Sequence, residues 1–306
     1  MLVLIAGATG NLGQKLIDSL ISRGHHVRVL ARNPSKLDPA RLAKLEGVVQ
    51  SANYYDIAAL DRGCAGVDAV ICAYYAVPEL QLEGNLLLLR AAERAGVRTF
   101  VAATWNFDWR NMALGQHESY DAYLAFRNHV ELSSDIKPIY IFTAALVEVL
   151  FALPGHGYFS PENHGLWDPA AKTLDLWGTG DEVWQWTTEK DAAEFTAAIV
   201  EREDASQGGF WSVCSGENTL MEIVALYEKV KGIKVDIRRK GTVEQLREVA
   251  LEARKQGTRR NYLPYIGYFY QLFALKGTWV MGELDNAKLD VEVTPLEKFL
   301  VDNPEL

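Results

Sequence analysis

The chain has 306 residues, 49% of them hydrophobic, which allows one large core or a core with a smaller lobe and excludes a disordered chain. Lysine and arginine total 31 against 40 aspartates and glutamates, a formal charge of −9. No long basic run offsets that charge, so DNA and RNA are poor partners for this surface.

Leu2 to Ala6 is a continuous apolar run, the mark of a strand buried on both faces. It is too short to span a bilayer, and with Met1 leading straight into it no signal peptide is expected. Later apolar runs are interrupted, as Glu148 interrupts Ala144 to Leu153, so no membrane partner is expected. Leu12 to Arg23 has helical spacing and ends at Gly24. His26 to Ala31 reads as a second strand, and Val48-Val49 begins a third. Ala69 to Ala73 is a fourth, followed by a helix from Glu79 to Ala95 that Gly96 stops. Thr99 to Ala103 is a fifth strand, Tyr120 to Leu132 a helix, and Ile139 to Leu146 a sixth strand. This alternation predicts an α/β fold, a Rossmann-type doubly wound parallel sheet over residues 1–150.

Residues 151–306 are less regular. Pro154, Gly155, Gly157, Pro161 and Gly165 break up a loop, and Leu174 to Thr188 has strand character. A helix from Asp191 to Glu201, a strand from Phe210 to Cys214 and helices at Thr219–Lys231 and Val243–Lys255 follow. The tail from Tyr262 to Phe273 is rich in aromatics. Together these segments are expected to complete the sheet and to form a smaller substrate lobe over its mouth.

Directly after the first strand stands Gly7-Ala8-Thr9-Gly10-Asn11-Leu12-Gly13, a G-x-x-G-x-x-G turn that opens the first helix. Glycine lets the backbone turn tightly and approach a pyrophosphate, and the helix start offers free N–H groups and a positive dipole end. The bland alternative is a tight turn without a ligand. An NAD site places an acid after strand two, but the chain there reads Ala31-Arg32-Asn33-Pro34-Ser35-Lys36. Arg32 and Lys36 are placed to clamp a 2′-phosphate instead, which favours NADP(H); otherwise Arg32 is a solvated surface charge.

The turn, the Arg32-Asn33-Pro34 step and the strand at Thr99 to Ala103 together resemble the NmrA-like and isoflavone-reductase-like proteins, atypical short-chain dehydrogenases. The likeness is good through about Phe142 and looser beyond it, where Asp191 resembles an acid that opens a helix near the family's substrate lobe. The segment Thr104-Trp105-Asn106-Phe107-Asp108-Trp109 resembles the loop that faces cofactor and substrate. The resemblance implies an NADP-binding fold, with Asn53, Ala73, Tyr74 and Thr104 beside the cofactor and Trp105, Asn106, Phe107 and Tyr158 beside a substrate. It also implies one of two lives: a secondary-metabolism reductase of aromatic, ketone or quinone substrates, or a regulator that binds the dinucleotide without turning it over.

Short-chain dehydrogenases usually carry Y-x-x-x-K, and the nearest match is Tyr123-Leu124-Ala125-Phe126-Arg127. The spacing puts Tyr123 and Arg127 on one helix face. Arg127 stands where the family has lysine; it keeps the charge and could hold a ribose hydroxyl but cannot shuttle a proton. Tyr123 is then the candidate proton donor, or else a packed helix tyrosine. His117 and His129 titrate near neutrality but read as loop or surface residues. The aromatic tail is a candidate pocket wall, a core-facing helix or a dimer surface, so a homodimer is open. Cys64, Cys72 and Cys214 form no disulfide framework, and no metal-ligand spacing or nucleophile elbow stands out. A reducing, cytoplasmic setting is the simplest reading. The expected function is an NADPH-dependent reductase of a small, largely apolar substrate; a non-catalytic NADP-binding regulator and a non-redox cyclase or isomerase are the alternatives.

Overall fold

The computed structural model describes residues 1–306. The first half runs β1 (Leu2–Ala6), α1 (Asn11–Ser22), β2 (His26–Ala31), α2 (Pro39–Leu42), β3 (Gly47–Gln50), α3 (Ile57–Cys64), β4 (Ala69–Cys72), α4 (Asn85–Arg94), β5 (Thr99–Val101), α5 (Glu118–Ser133), β6 (Ile139–Phe142), β7 (Ala145–Leu146) and α6 (Val147–Leu150). The second half runs β8 (Trp167–Asp168), β9 (Thr173–Trp177), β10 (Val183–Thr187), α7 (Glu189–Val200), β11 (Gly209–Ser212), β12 (Gly216–Thr219), α8 (Leu220–Lys231), β13 (Asp236–Gly241), α9 (Val243–Gln256), α10 (Leu263–Leu275) and α11 (Leu296–Asp302). No helix is long and apolar enough to cross a membrane.

Seven parallel strands form the main sheet in the order β11-β6-β5-β4-β1-β2-β3. Val3, Leu4, Ile5 and Ala6 are fully buried, as a central parallel strand covered on both faces requires. The strand order reverses between β1 and β4, which places a ligand crevice at their carboxyl ends. This is a Rossmann-type doubly wound sheet.

Two three-stranded sheets, β12-β10-β7 and β13-β9-β8, lie outside it. The single sixth strand expected over Ile139–Leu146 is therefore two. Ala144 adopts a left-handed φ of 53°, and the chain leaves the main sheet at that residue to pair β7 with β10. The run Leu174–Thr188 likewise divides at Gly178 and Gly180, both at positive φ, into β9 and β10 of different sheets. The aromatic tail is helical, and Tyr265, Ile266, Phe269 and Leu272 pack with Leu246 and Ala250 of α9 in a core of their own. Before α4 the chain makes a π-type turn over Leu80–Gly84.

Candidate functional site

The crevice begins at the glycine turn. Gly7 has φ +85°, and a Cβ there would lie 2.2 Å from the Ala73 carbonyl oxygen. The ends of β1 and β4 thus meet with no room for a side chain, and Ala73 N–H donates to Ala6 O at 2.7 Å. Gly13 is as tight, since a Cβ would stand 2.4 Å from Gly7 O; α1 leaves the sheet edge at contact distance. Gly10 is exposed and caps α1 with no side chain, so the first N–H groups of the helix, from Asn11 to Gly13, are left for an external acceptor. Thr9 is half-buried, and its carbonyl accepts from Gln14 Nε2.

Beyond β2, Arg32 and Lys36 are exposed, and neither side chain forms an ion pair or hydrogen bond within the protein. The Arg32 charge lies near enough to Tyr74 to oppose the rise that burial gives that phenol's pKa. The ends of β2 and β4 therefore border one space. Asn53 is occupied with its own loop, its Oδ1 accepting from Tyr55 N–H. Thr104 turns inward: its hydroxyl is buried, donates to Ala102 O and accepts from Ile141 N–H at 2.8 Å, tying β5 to β6. Its hydroxyl is thus engaged within the sheet.

Next to the crevice is a cavity of about 140 Å³. Twelve of its 13 lining residues are hydrophobic, Asn106 being the exception. Trp105, Asn106, Phe107 and Tyr158 all stand on its wall, with Tyr120, Leu146, Trp184 and Tyr270 among the others. The segment 155–159 joins cavity to crevice. Gly155 O accepts from Asn11 Nδ2 at 3.1 Å, the Tyr158 ring meets Tyr75 edge-on at 5.3 Å, and Tyr158 and Phe159 line the cavity.

Tyr123 and Arg127 do share a helix face, but that face packs on Trp109 instead of lining the cavity. Tyr123 stacks on the indole at 6.0 Å, and the Arg127 guanidinium lies 5.7 Å over the same ring. Trp109 is itself fully buried against Tyr140, Phe142 and Phe210. Arg127 donates to Arg110 O and Asn128 Oδ1 and pairs with Glu131. None of these partners belongs to the glycine turn, the loop after β4 or the cavity. Burial raises the pKa of Tyr123 well above the usual phenol range, which keeps it protonated. The residue that spacing alone missed is Tyr120, one turn earlier, which does line the cavity. His117 is also corrected: it is buried, not a surface residue, and burial lowers its pKa well below the usual range. Its ring is boxed by Tyr120, Phe269, Tyr270, Phe273 and Trp279. His129 is exposed beside Arg90. The three cysteines are buried and unpaired, with Cys64 and Cys72 pushed up to about 12 by burial and so unreactive as nucleophiles.

A charged cluster fastens the far side of the crevice. Glu189, at the start of α7, pairs with Lys15 of α1 at 2.8 Å and with His156 at 2.7 Å. Its backbone N–H donates to both oxygens of the buried Glu148 carboxylate at 3.0 Å. Burial, then the neighbouring Glu189 charge, pushes the Glu148 carboxyl up to about 7. A carboxyl raised in the folded state binds protons there that the unfolded chain has released, so stability falls as pH rises from about 4.5 through about 7. Glu148→Gln is expected to raise stability by about 1–2 kcal/mol at pH above about 8 and to do little near pH 4. Thermal melts across pH check this, and an equal effect at both ends would remove Glu148 as the titrating group.

The NmrA-like family model matches residues 1–278. A bifunctional pinoresinol-lariciresinol reductase of Linum perenne is 25% identical over 292 residues, covering 89% of this chain and 86% of its own. Among solved structures, a ternary complex of leucoanthocyanidin reductase from Vitis vinifera superposes with a TM-score of 0.77 at 17% identity, covering 99% of each chain. A triphenylmethane reductase of a Citrobacter species, complexed with NADP(H), gives a TM-score of 0.71 at 18% identity, again over 99% of each chain. With a Rossmann-type sheet and the family pattern running through nine-tenths of its length, the chain belongs to the NmrA-like family.

Proposed function

We propose that the protein is an NADPH-dependent reductase of a small, largely apolar substrate, aromatic and of ketone or quinone type. The observation that carries this reading is the continuity of a main-chain cradle bare of side chains with an aromatic-walled cavity through residues 155–159. The named activities of the relatives, reduction of pinoresinol and of leucoanthocyanidin, support it.

The bare glycine positions fit a dinucleotide. The N–H groups of Asn11, Leu12 and Gly13 would hold its diphosphate, Gly7, Thr9 and Gly10 would leave room for it, and Ala73 and Tyr74 would lie beneath it. Arg32 and Lys36 would hold the 2′-phosphate. The bound coenzyme would supply the hydride. The protein's own part is to orient the acceptor against Trp105, Phe107 and Tyr158 and to keep water out with an apolar wall.

The test is loss of reduced-nicotinamide absorbance when the protein and NADPH meet a panel of aryl ketones, quinones and enones. Turnover of at least one class is expected. Tight NADPH binding with no oxidation across the panel would favour the non-catalytic regulator, the reading that the outward engagement of Arg127 supports. Arg32→Ala should weaken NADPH by about 10- to 100-fold and leave NADH almost unchanged, because one charge-assisted contact contributes about 1.5–3 kcal/mol. Paired fluorescence titrations decide it; equal losses for the two coenzymes would contradict the 2′-phosphate role.

A further inference from the structure

The small sheet β13-β9-β8 has two unlike faces. Leu174 and Leu176 of β9 are buried in a core with Phe151, Trp167 and Tyr227, so strand alternation turns Thr173, Asp175 and Trp177 to the other side. Register brings Asp168 opposite Thr173 and Arg238 beside Asp175, and Lys240 stands at the bulge of β13. The segment from Pro161 to Leu166 and the face of α10 that carries Tyr268 and Gln271 roof this second side, enclosing a cavity of about 100 Å³. Only three of its 12 lining residues are hydrophobic, and it shares none of them with the aromatic-walled cavity. Its volume is well above the ~10–15 Å³ that admits one water.

The charges on this wall are matched within the protein. Lys240 pairs with Asp175 and Arg238 with Asp236, each at 3.2 Å, and Asp168 Oδ1 accepts from Ala170 and Ala171 N–H. His164 stacks on Tyr268 at 4.0 Å, and burial lowers its pKa, so the imidazole is neutral near neutral pH. Three neutral groups remain open. Thr173 and Gln271 are 4% exposed and Trp177 is 7% exposed, yet Thr173 Oγ1, Gln271 Oε1 and Trp177 Nε1 bond nothing in the protein; Gln271 uses its other amide atom, Nε2, to donate to His164 O at 2.8 Å. The Trp167 indole N–H, on the core side of the same sheet, is sealed from solvent, whereas these three atoms keep accessible surface, and it opens on the cavity they line. The indole only donates, the amide oxygen only accepts, and the hydroxyl does either.

We propose that this cavity is a ligand site separate from the coenzyme crevice and the aromatic-walled cavity, and that it takes a small neutral polyol, a single sugar ring or a cyclitol. A bare anion there meets Asp168 and Asp175, and a bare cation meets Arg238 and Lys240, so neither sign is favoured. A row of hydroxyls, each both donor and acceptor, satisfies the indole, the amide oxygen and the Thr173 hydroxyl together and leaves the ion pairs intact. Trp177 and the stacked His164 and Tyr268 supply apolar surface for the C–H faces of the ring.

Calorimetric titration of the full chain with myo-inositol and with D-glucose, in the presence and absence of saturating NADP+, tests this. At least one polyol should saturate at about millimolar concentration, unaffected by NADP+, and cyclohexanol, a ring of the same size with one hydroxyl, should bind at least about tenfold more weakly. Thr173→Val should weaken the polyol by about 3- to 10-fold, the share of one neutral hydrogen bond, with an unchanged melting temperature because the deleted hydroxyl bonds nothing in the protein. Trp177→Phe, which removes the N–H and keeps an aromatic body, should weaken it by a similar factor. No saturation by either polyol up to about 100 mM would leave the cavity to water and overturn the proposal. Tighter binding of glycine or sulfate than of either polyol, loss of polyol binding when NADP+ is added, or full affinity in both variants would overturn it as well.

Discussion

Gly7→Ala should destabilise the protein by about 2–5 kcal/mol and weaken NADPH binding by about 100-fold or more. Two costs combine. At φ +85° an L-residue pays about 1–2 kcal/mol for the left-handed backbone. In addition, the new methyl would stand 2.2 Å from the Ala73 carbonyl oxygen, a backbone atom that gives way only if β1 and β4 part. Overpacking of this kind typically costs about 1–3 kcal/mol. Gly24 separates the two costs. It has a similar φ of +81°, yet nothing lies within 4 Å of its missing Cβ. Gly24→Ala should therefore show only the backbone penalty and leave NADPH affinity unchanged. Urea denaturation and coenzyme fluorescence on the two variants check the pair; equal behaviour would mean that the close approach at Ala73 is not what makes Gly7 necessary.

Asp191→Ala is expected to cost about 3–5 kcal/mol, through loss of hydrogen bonds to a buried charge. The carboxylate is fully buried and accepts three bonds: Ser215 Oγ at 2.6 Å, Thr294 N–H at 2.7 Å and Thr294 Oγ1 at 2.7 Å. Through them α7 is tied to the turn after β11 and to the chain before α11. Thr188 caps the same helix, its hydroxyl accepting from Asp191 N–H. The acid near the substrate lobe is therefore a brace, with every contact made inside the protein. Asp191→Asn, which keeps one acceptor oxygen, should cost less than the alanine. Chemical denaturation orders the three proteins, and a neutral alanine variant would contradict the brace.

How much was legible in the chain follows from how local each feature is. The glycine turn is read easily because a buried strand, a tight turn and a helix start are contiguous from Leu2 to Ser22. Trp105, Asn106 and Phe107 follow β5, whose carboxyl end is where such sheets bind ligands, so their presence on one cavity wall was within reach of sequence reasoning. Tyr120 was not. Two tyrosines three residues apart on one helix differ only in phase, and an i, i+4 partner points to Tyr123. Trp109, from a separate loop, claims the Tyr123 and Arg127 face, a contact that no helical period encodes. The Lys15, Glu148, His156 and Glu189 cluster draws on separated segments and left no pattern in the sequence. The short strands β7, β8 and β12 were hidden for a different reason. With two to four residues each, they form no period, and their pairing depends on turns such as the one at Ala144.

The most direct measurement is an equilibrium titration of the wild-type protein with NADPH, followed by coenzyme fluorescence and competed with NADP+. Saturable binding at one site per chain in about the micromolar range, displaced by NADP+ and weaker for NADH, is the expected result. No saturation up to about millimolar NADPH would mean that the turn from Gly7 to Gly13 holds no coenzyme.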